Sequence, residues 1–268
     1  MFVRSQPHVT RPLWAGASLS TRYGKAGGDP PVGESWEVWR DNVVPDGRVL
    51  SDVLDFPLLI KLIATRDVLS VQVHPDDATA KRHGAAFGKA EAWVILEAEP
   101  GARVALGLKR SVSREALREM AISGSIEEEL CWFDVRPGDV IDVPCGTIHA
   151  IGGGVTLYEV QQPADITWRL YDWGRGRELH LQAALEVAIA GPAEGPVRRS
   201  GRLIETPIFR VQQAEVGTVR PSGWRALTCT SGTLQMEAEL LHRGDTVLVP
   251  QGVWSLTGSG EGLWAWAG

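Results

Sequence analysis

The feature that most restricts this chain is a stretch that occurs twice. Residues 138–150 read GDVIDVPCGTIHA and residues 244–256 read GDTVLVPQGVWSL. Gly, Asp, Pro and Gly fall at the same relative places in both, 106 residues apart (244 − 138). In the first copy the apolar run from Val140 to Val143 has the length of a short strand, and Pro144 and Gly146 end it with turn chemistry. Self-similarity at this separation implies two copies of one β fold. The copies differ at one chemically important place: the first has His149 where the second has Ser255.

The rest of the chain agrees with a β architecture. "FPLLIKLI" (56–63), "LSVQVH" (69–74), "EAWVILEAE" (91–99), "VTLYEVQQ" (155–162) and "DTVLVP" (245–250) are short strand-like runs between Gly, Pro and Asp. That spacing belongs to a sandwich or barrel. Helical periodicity is confined to "SREALREMA" (113–121), with Ala116, Leu117 and Met120 on one face, and to "ELHLQAALEVAIA" (178–190). Ser125 and Glu128 have the spacing of a capping box. The segment 191–202, "GPAEGPVRRSGR", reads as a linker. The expected organisation is an N-terminal domain over 1–190 with a helical insertion near 111–130, the linker 191–202, and a C-terminal domain over 203–268.

Charge and cysteine usage narrow the class. A net charge of −6 argues against a nucleic-acid binder, whose affinity rests on neutralising phosphates. Three cysteines without paired spacing imply no disulfide framework. No apolar run reaches membrane-spanning length and "MFVRSQPHVTRPLW" has no signal-peptide core, so a cytoplasmic protein is expected. Oligomeric state is left open.

The order G-x5-P-x-G-x2-H ending at His149 is that of the second cupin motif, and cupins are double-sheet jelly rolls. The expected fold is therefore mainly β: two cupin-type jelly-roll domains with a few helices. Upstream, "SVQVHPDD" offers Gln72 and His74, which a period of two puts on one strand face. "GKAEAWVIL" offers Glu91 at a strand start. Gln72, His74, Glu91 and His149 make a two-nitrogen, two-oxygen set suited to one zinc ion per chain, with water or substrate completing the shell. The second copy, with Ser255 and no Q-x-H upstream, is expected to be a metal-free, degenerate cupin. His8, His83, His180 and His242 fall in no ligand pattern and read as surface or packing residues.

Several longer stretches are more specific. "GESWEV" (33–38), "FPLLIKLI", "LSVQVHPDD", "GKAEAWVIL" and "VPCGTIHAIGGGVTLYEVQQPADITWRLYDWGR" closely resemble the short bacterial form of the type I phosphomannose isomerases, from about residue 10 to 180. The resemblance implies interconversion of mannose 6-phosphate and fructose 6-phosphate with one zinc ion. It aligns Gln72, His74, Glu91 and His149 with the family's zinc positions and Arg169 with an active-site arginine. It also places Ser70, Lys89, Glu159 and Asp165 on the same pocket. The chain departs from longer members in having Ile151 soon after His149, where they carry an aromatic residue, and Arg175 where they tend to carry lysine.

An isomerase of this kind moves a proton between C1 and C2 through an enediol, so negative charge gathers on sugar oxygens that a metal and a guanidinium can stabilise. Arg169, Glu159 and Asp165 are the catalytic candidates, with Lys89 and a metal-bound water as further proton carriers that the sequence does not rank. A phosphate dianion on a protein of net −6 needs local cations, for which Lys61, Lys89, Arg169 and Arg175 are candidates. Two other readings share the motifs: a metal-dependent cupin oxygenase and a non-catalytic sugar-binding cupin. Gln72 in place of a first histidine disfavours the former, and Arg169, Glu159 and Asp165 beside a full ligand set disfavour the latter.

Overall fold

The computed structural model describes residues 1–198 and 202–268; residues 199–201, within the expected linker, lie outside the described residues. The chain first supplies β1 (His8–Thr10), β2 (Glu34–Val38), β3 (Leu59–Ala64), β4 (Val71–Val73), β5 (Glu91–Ala98) and β6 (Arg103–Leu108). It continues through β7 (Leu130–Asp134), β8 (Asp139–Val143), β9 (His149–Ile151), β10 (Val155–Gln161), β11 (Trp168–Tyr171) and β12 (Val197–Arg198). A seven-stranded sheet, β1-β2-β3-β10-β5-β8-β12, faces a five-stranded sheet, β11-β4-β9-β6-β7. Part of the linker is thus a strand: β12 pairs with β8.

The remaining strands are β13 (Arg202–Glu205), β14 (Phe209–Gln213), β15 (Gly217–Val219), β16 (Arg225–Ser231) and β17 (Thr233–Met236). They are followed by β18 (Glu239–His242), β19 (Thr246–Val249), β20 (Trp254–Gly258) and β21 (Glu261–Ala267). These form a second facing pair, β13-β14-β21-β16-β19 and β15-β20-β17-β18. The order repeats that of the first pair strand for strand: β2-β3-β10-β5-β8 corresponds to β13-β14-β21-β16-β19, and β4-β9-β6-β7 to β15-β20-β17-β18. The fold is two jelly rolls, as the repeated motif requires. The first residues lie against the second jelly roll, where Val3 and Leu248 exchange backbone hydrogen bonds of 3.0 and 2.8 Å.

Period-two alternation decides which side chains enter the first barrel. On β10, Leu157 packs inside the barrel, while Tyr158 and Val160 turn outward into a core shared with Phe209, Val211 and Ala265 of the second jelly roll. On β5, Trp93 and Ile95 go inward and Ala92 and Val94 outward. The outer face of the smaller sheet is covered by the helices Arg114–Ser123, Ile126–Glu129 and Leu181–Val187, through Leu117, Ala121, Ile126, Ala184 and Leu185. Ser113 caps the first of these, its Oγ accepting from Ala116 N at 3.1 Å. The capping box expected at Ser125 does not form. The Ser125 hydroxyl meets Ser123 Oγ at 2.9 Å, and the Glu128 N–H donates to the Ser125 carbonyl rather than to its side chain. Among the described residues no helix is long and apolar enough to cross a membrane.

Candidate metal centre

Three strands of the first jelly roll bring the sequence-selected ligands together. Antiparallel pairing sets Gln72 of β4 directly opposite His149 of β9, and Glu91 of β5 opposite Val143 of β8. His74 follows Gln72 by two residues and shares its inward face. Ligand atoms of His74, Glu91 and His149 all lie within 4.8 Å of one another, and all three residues are buried. His74 Nε2 is 3.5 Å from Glu91 Oε2, and His149 Nε2 is 3.4 Å from Glu91 Oε1.

The donor set fits a metal ion. His149 Nδ1 lies 2.9 Å from the Thr147 carbonyl, which fixes the tautomer and leaves the Nε2 lone pair free. That Nε2 and Glu91 Oε1 are buried without a hydrogen-bond partner among the described residues, a costly arrangement unless something fills it. Burial first, then the charge of Lys89, holds the His74 imidazole well below its usual pKa. Burial likewise brings His149 down to about 4. Both rings are therefore neutral, as ligands must be. Burial and the neighbouring Glu159 carboxylate push Glu91 up to about 7, against the lowering charges of Lys89 and Lys61.

A cleft of about 420 Å³ opens beside these residues, and Ser70, Gln72, Lys61, Lys89, Glu159, Asp165 and Arg169 all line it. Lys89 Nζ lies 2.9 Å from Glu91 Oε2 and 3.3 Å from His74 Nε2. Burial alone would lower the Lys89 pKa, but Glu91 and Glu159 together raise it, so the ammonium is held charged. Lys61 sits opposite Glu159 in the sheet, 3.5 Å from its Oε1 and 3.8 Å from Glu34 Oε2, with its ammonium over the Trp36 ring. Burial would raise the Glu159 pKa, but Lys61, Lys89 and the Trp93 N–H (3.0 Å) outweigh it and hold the group below the usual carboxylate range. Its Oε1 accepts no hydrogen bond from the described residues. Asp165 is exposed at the rim.

Arg169 faces Gln72 across the β11–β4 pair. Neither Asp165 nor Asp172 bonds it. Its Nη1 donates to the Glu178 carbonyl at 2.8 Å, and its buried Nε has no partner among the described residues. Arg175, by contrast, does not line the cleft. It turns back on Asp172, 3.0 Å from Oδ1. Two residues on, Arg177 lines the cleft while its Nε donates to Asp172 Oδ2 at 2.7 Å. His180, read from sequence as packing or surface, also lines the cleft, and its Nδ1 accepts from Arg169 N at 3.2 Å. Glu34 and Trp14 are further lining residues that spacing alone did not single out; for Glu34 the alternation in "GESWEV" was the available signal.

A set of polar contacts fixes the segment that carries Lys89 and Glu91. Gln162, at the end of β10, binds Ala90 twice: Ala90 N donates to Gln162 Oε1 at 2.9 Å, and Gln162 N donates to the Ala90 carbonyl at 3.1 Å. Gln162 Nε2 then donates to Asp77 Oδ1 at 2.9 Å, an oxygen that also accepts from Gly88 N at 2.7 Å. Lys89 N donates to the Pro75 carbonyl at 3.0 Å. The exit of β4 after His74, the entry of β5 and the end of β10 are thus tied at one point.

Comparison with known proteins gives a consistent picture, although no family model matches the chain. A mannose-6-phosphate isomerase from Streptococcus mutans is 31% identical over an alignment 306 positions long, covering 97% of this chain and 96% of the relative. Among solved structures, a mannose 6-phosphate isomerase from Bacillus subtilis superposes with a TM-score of 0.87 at 25% identity, covering 98% of this chain and 99% of that one. A mannose 6-phosphate isomerase bound with zinc and yttrium has a TM-score of 0.77 at 14% identity, with 99% of both chains covered.

Proposed function

The chain belongs to the mannose-6-phosphate isomerase family, and on that premise we propose how its own residues carry the reaction and which ion they use. The reaction is the interconversion of mannose 6-phosphate and fructose 6-phosphate. The ion is zinc, held by Gln72, His74, Glu91 and His149. Two neutral imidazoles and two oxygens are a donor set that zinc favours. When bound, zinc supplies Lewis-acid polarisation of the sugar oxygens at C1 and C2.

The remaining chemistry belongs to side chains of the cleft. Glu159 is the base that moves the proton between C1 and C2. It is ionised, buried, and has one oxygen free of hydrogen bonds. Lys61 and Lys89 keep it anionic between turnovers. Arg169 stabilises the anionic oxygens of the substrate as charge develops, because among the described residues no carboxylate is bonded to its guanidinium. Ser70 and Gln72 line the same wall and orient the open-chain sugar. The observation that carries this reading is the buried His74–Glu91–His149 cluster, joined through Gln72 and Lys89 to a cleft that Arg169 also lines.

The test is a coupled assay for fructose 6-phosphate formed from mannose 6-phosphate, with metal analysis of the purified protein. Wild type should be active with about one zinc per chain. Arg169→Ala should keep its metal and lose roughly 10²–10³ in kcat, the usual cost of one preorganised donor, with Lys restoring only part. Iron in place of zinc, or an Arg169→Ala protein with wild-type kcat, would overturn the assignments.

A further inference from the structure

The strand-for-strand correspondence of the two jelly rolls shows what occupies the metal positions in the second one. Thr218 of β15 pairs with Ser255 of β20 as Gln72 pairs with His149. Two residues after each, in "VHP" and "VRP", Arg220 therefore stands where His74 stands. Arg225 opens β16 opposite Val249 as Glu91 opens β5 opposite Val143, and Val249 follows Val143 by the same 106 residues as the repeated motif. On the next strand, Trp264 is the counterpart of Glu159, and Gln212 opposite it the counterpart of Lys61. The metal-ligand positions have not merely been emptied. An imidazole and a carboxylate, both of which take up a cation, have become two guanidiniums, which take up an anion.

Gln212, Thr218, Arg220, Arg225 and Trp264 together line one cavity of about 210 Å³. Among the described residues neither arginine is in an ion pair, and Glu215 is the one carboxylate in the lining. Arg225 is instead stacked on Trp266, 4.1 Å from the ring centroid, which fixes the plane of its guanidinium fork. Liquid water occupies about 30 Å³ per molecule, so the cavity has room for a tetrahedral oxyanion with part of its hydration. A planar fork of N–H donors matches such an anion bidentately, and Thr218 and Gln212 can supply further neutral donors.

We propose that the second jelly roll is a phosphate-binding site, with Arg220 and Arg225 at the two transposed metal-ligand positions as its anion-holding residues. The site is separate from the catalytic cleft and does not depend on the reaction assigned there. Two sources carry the same chemistry, inorganic phosphate and the phosphate group of a hexose phosphate. The experiment is equilibrium dialysis of the metal-loaded protein against radiolabelled inorganic phosphate, compared between wild type and Arg220→Ala/Arg225→Gln. Wild type should bind one phosphate more per chain than the double variant, whose kcat and KM should stay at wild-type values. Arg220→Ala alone, at an exposed position that folding does not need, should weaken that extra binding at least tenfold. Displacement of the extra phosphate by a hexitol 6-phosphate would identify a phosphate monoester as the ligand, and failure to displace it would identify the free ion. Equal stoichiometry in wild type and both variants would overturn the proposal.

Discussion

Replacing Gln162 by Leu tests whether the polar tie behind the metal centre sets ligand geometry or only holds the fold together. The substitution keeps the volume nearly constant but removes the acceptor for Ala90 N and the donor to Asp77 Oδ1, each at 2.9 Å. An N–H left without a partner in a partly buried position costs about 1–3 kcal/mol. The strained element is the entry of β5, which carries Lys89 and Glu91, so the cost falls on the geometry of the site. Outer partners of metal ligands are typically worth about 10–100-fold in affinity or activity, or roughly 1.4–2.7 kcal/mol. The two estimates agree. Gln162→Leu should therefore weaken metal binding by about one to two orders of magnitude, measured by competition with a chelator of known affinity. Asp77→Ala should do the same through Gly88, and the double variant should cost less than the sum, because both belong to one network. Asp77→Asn retains an oxygen that can accept from Gly88 N and Gln162 Nε2, and should bind metal normally. Wild-type metal affinity in Gln162→Leu, with only a lowered melting temperature, would refute the reasoning.

Two further outcomes concern stability. Glu37 is buried with its Oε1 2.7 Å from Lys25 Nζ, and that ammonium also donates to the Gly244 carbonyl of the second jelly roll at 2.7 Å. Lys25→Met leaves the carboxylate unpaired and should cost about 3–5 kcal/mol in denaturant unfolding, whereas Lys25→Met with Glu37→Leu should recover much of it. Asp172 gives a pH signature. Burial would raise its carboxyl pKa, but the Arg177 hydrogen bonds and the Arg175 charge outweigh it and hold the group below its ordinary value. A depressed folded-state pKa contributes stability above the unfolded value near 3.9 that is lost as pH falls through the folded one. Melting temperature should thus drop on acidification below about pH 4 in wild type, and less steeply in Asp172→Asn.

What could be read from the sequence was whatever depends on strand period and local turn chemistry. Gln72 and His74 share a face because residues two apart on a strand must, and Pro144 and Gly146 had to end β8 before His149. Residues that pairing brings in from afar were harder. Alternation in "GESWEV" gives the face of Glu34, but it reaches the cleft because β2 lies beside β3, and that neighbour relation is not local. Arg175 and Arg177 are indistinguishable in "YDWGRGRELH", and the backbone separates them. Trp173, Gly174 and Gly176 all take positive φ there, at 54°, 70° and 76°, and the resulting turn folds Arg175 back on Asp172 while Arg177 stays at the cleft. Ser125 had the spacing of a cap but enters its helix with αR backbone, so its hydroxyl is not placed to take the orphan N–H groups. His180 carried no ligand spacing because its role is to accept from the backbone beside Arg169, a contact that sequence does not announce.

The two copies of the repeated motif separate architecture from chemistry within one chain. Gly138 and Gly244 have φ of 87° and 94°, a left-handed backbone that a side chain disfavours. Each donates its N–H to equivalent positions, the carbonyls of Ile95 and Cys229. The following aspartates close the same turn: Asp139 Oδ2 accepts from Arg136 N at 3.0 Å, and Asp245 Oδ2 from His242 N at 2.9 Å. Gly and Asp recur because the corner before β8 and β19 cannot be built without a left-handed residue and a side-chain acceptor. Nothing in that corner requires an imidazole eleven residues after Gly138, since the second copy builds it with Ser255. On the proposed assignment His149 is present for what its Nε2 can hold, and the same frame carries Arg220 and Arg225 at positions corresponding to His74 and Glu91.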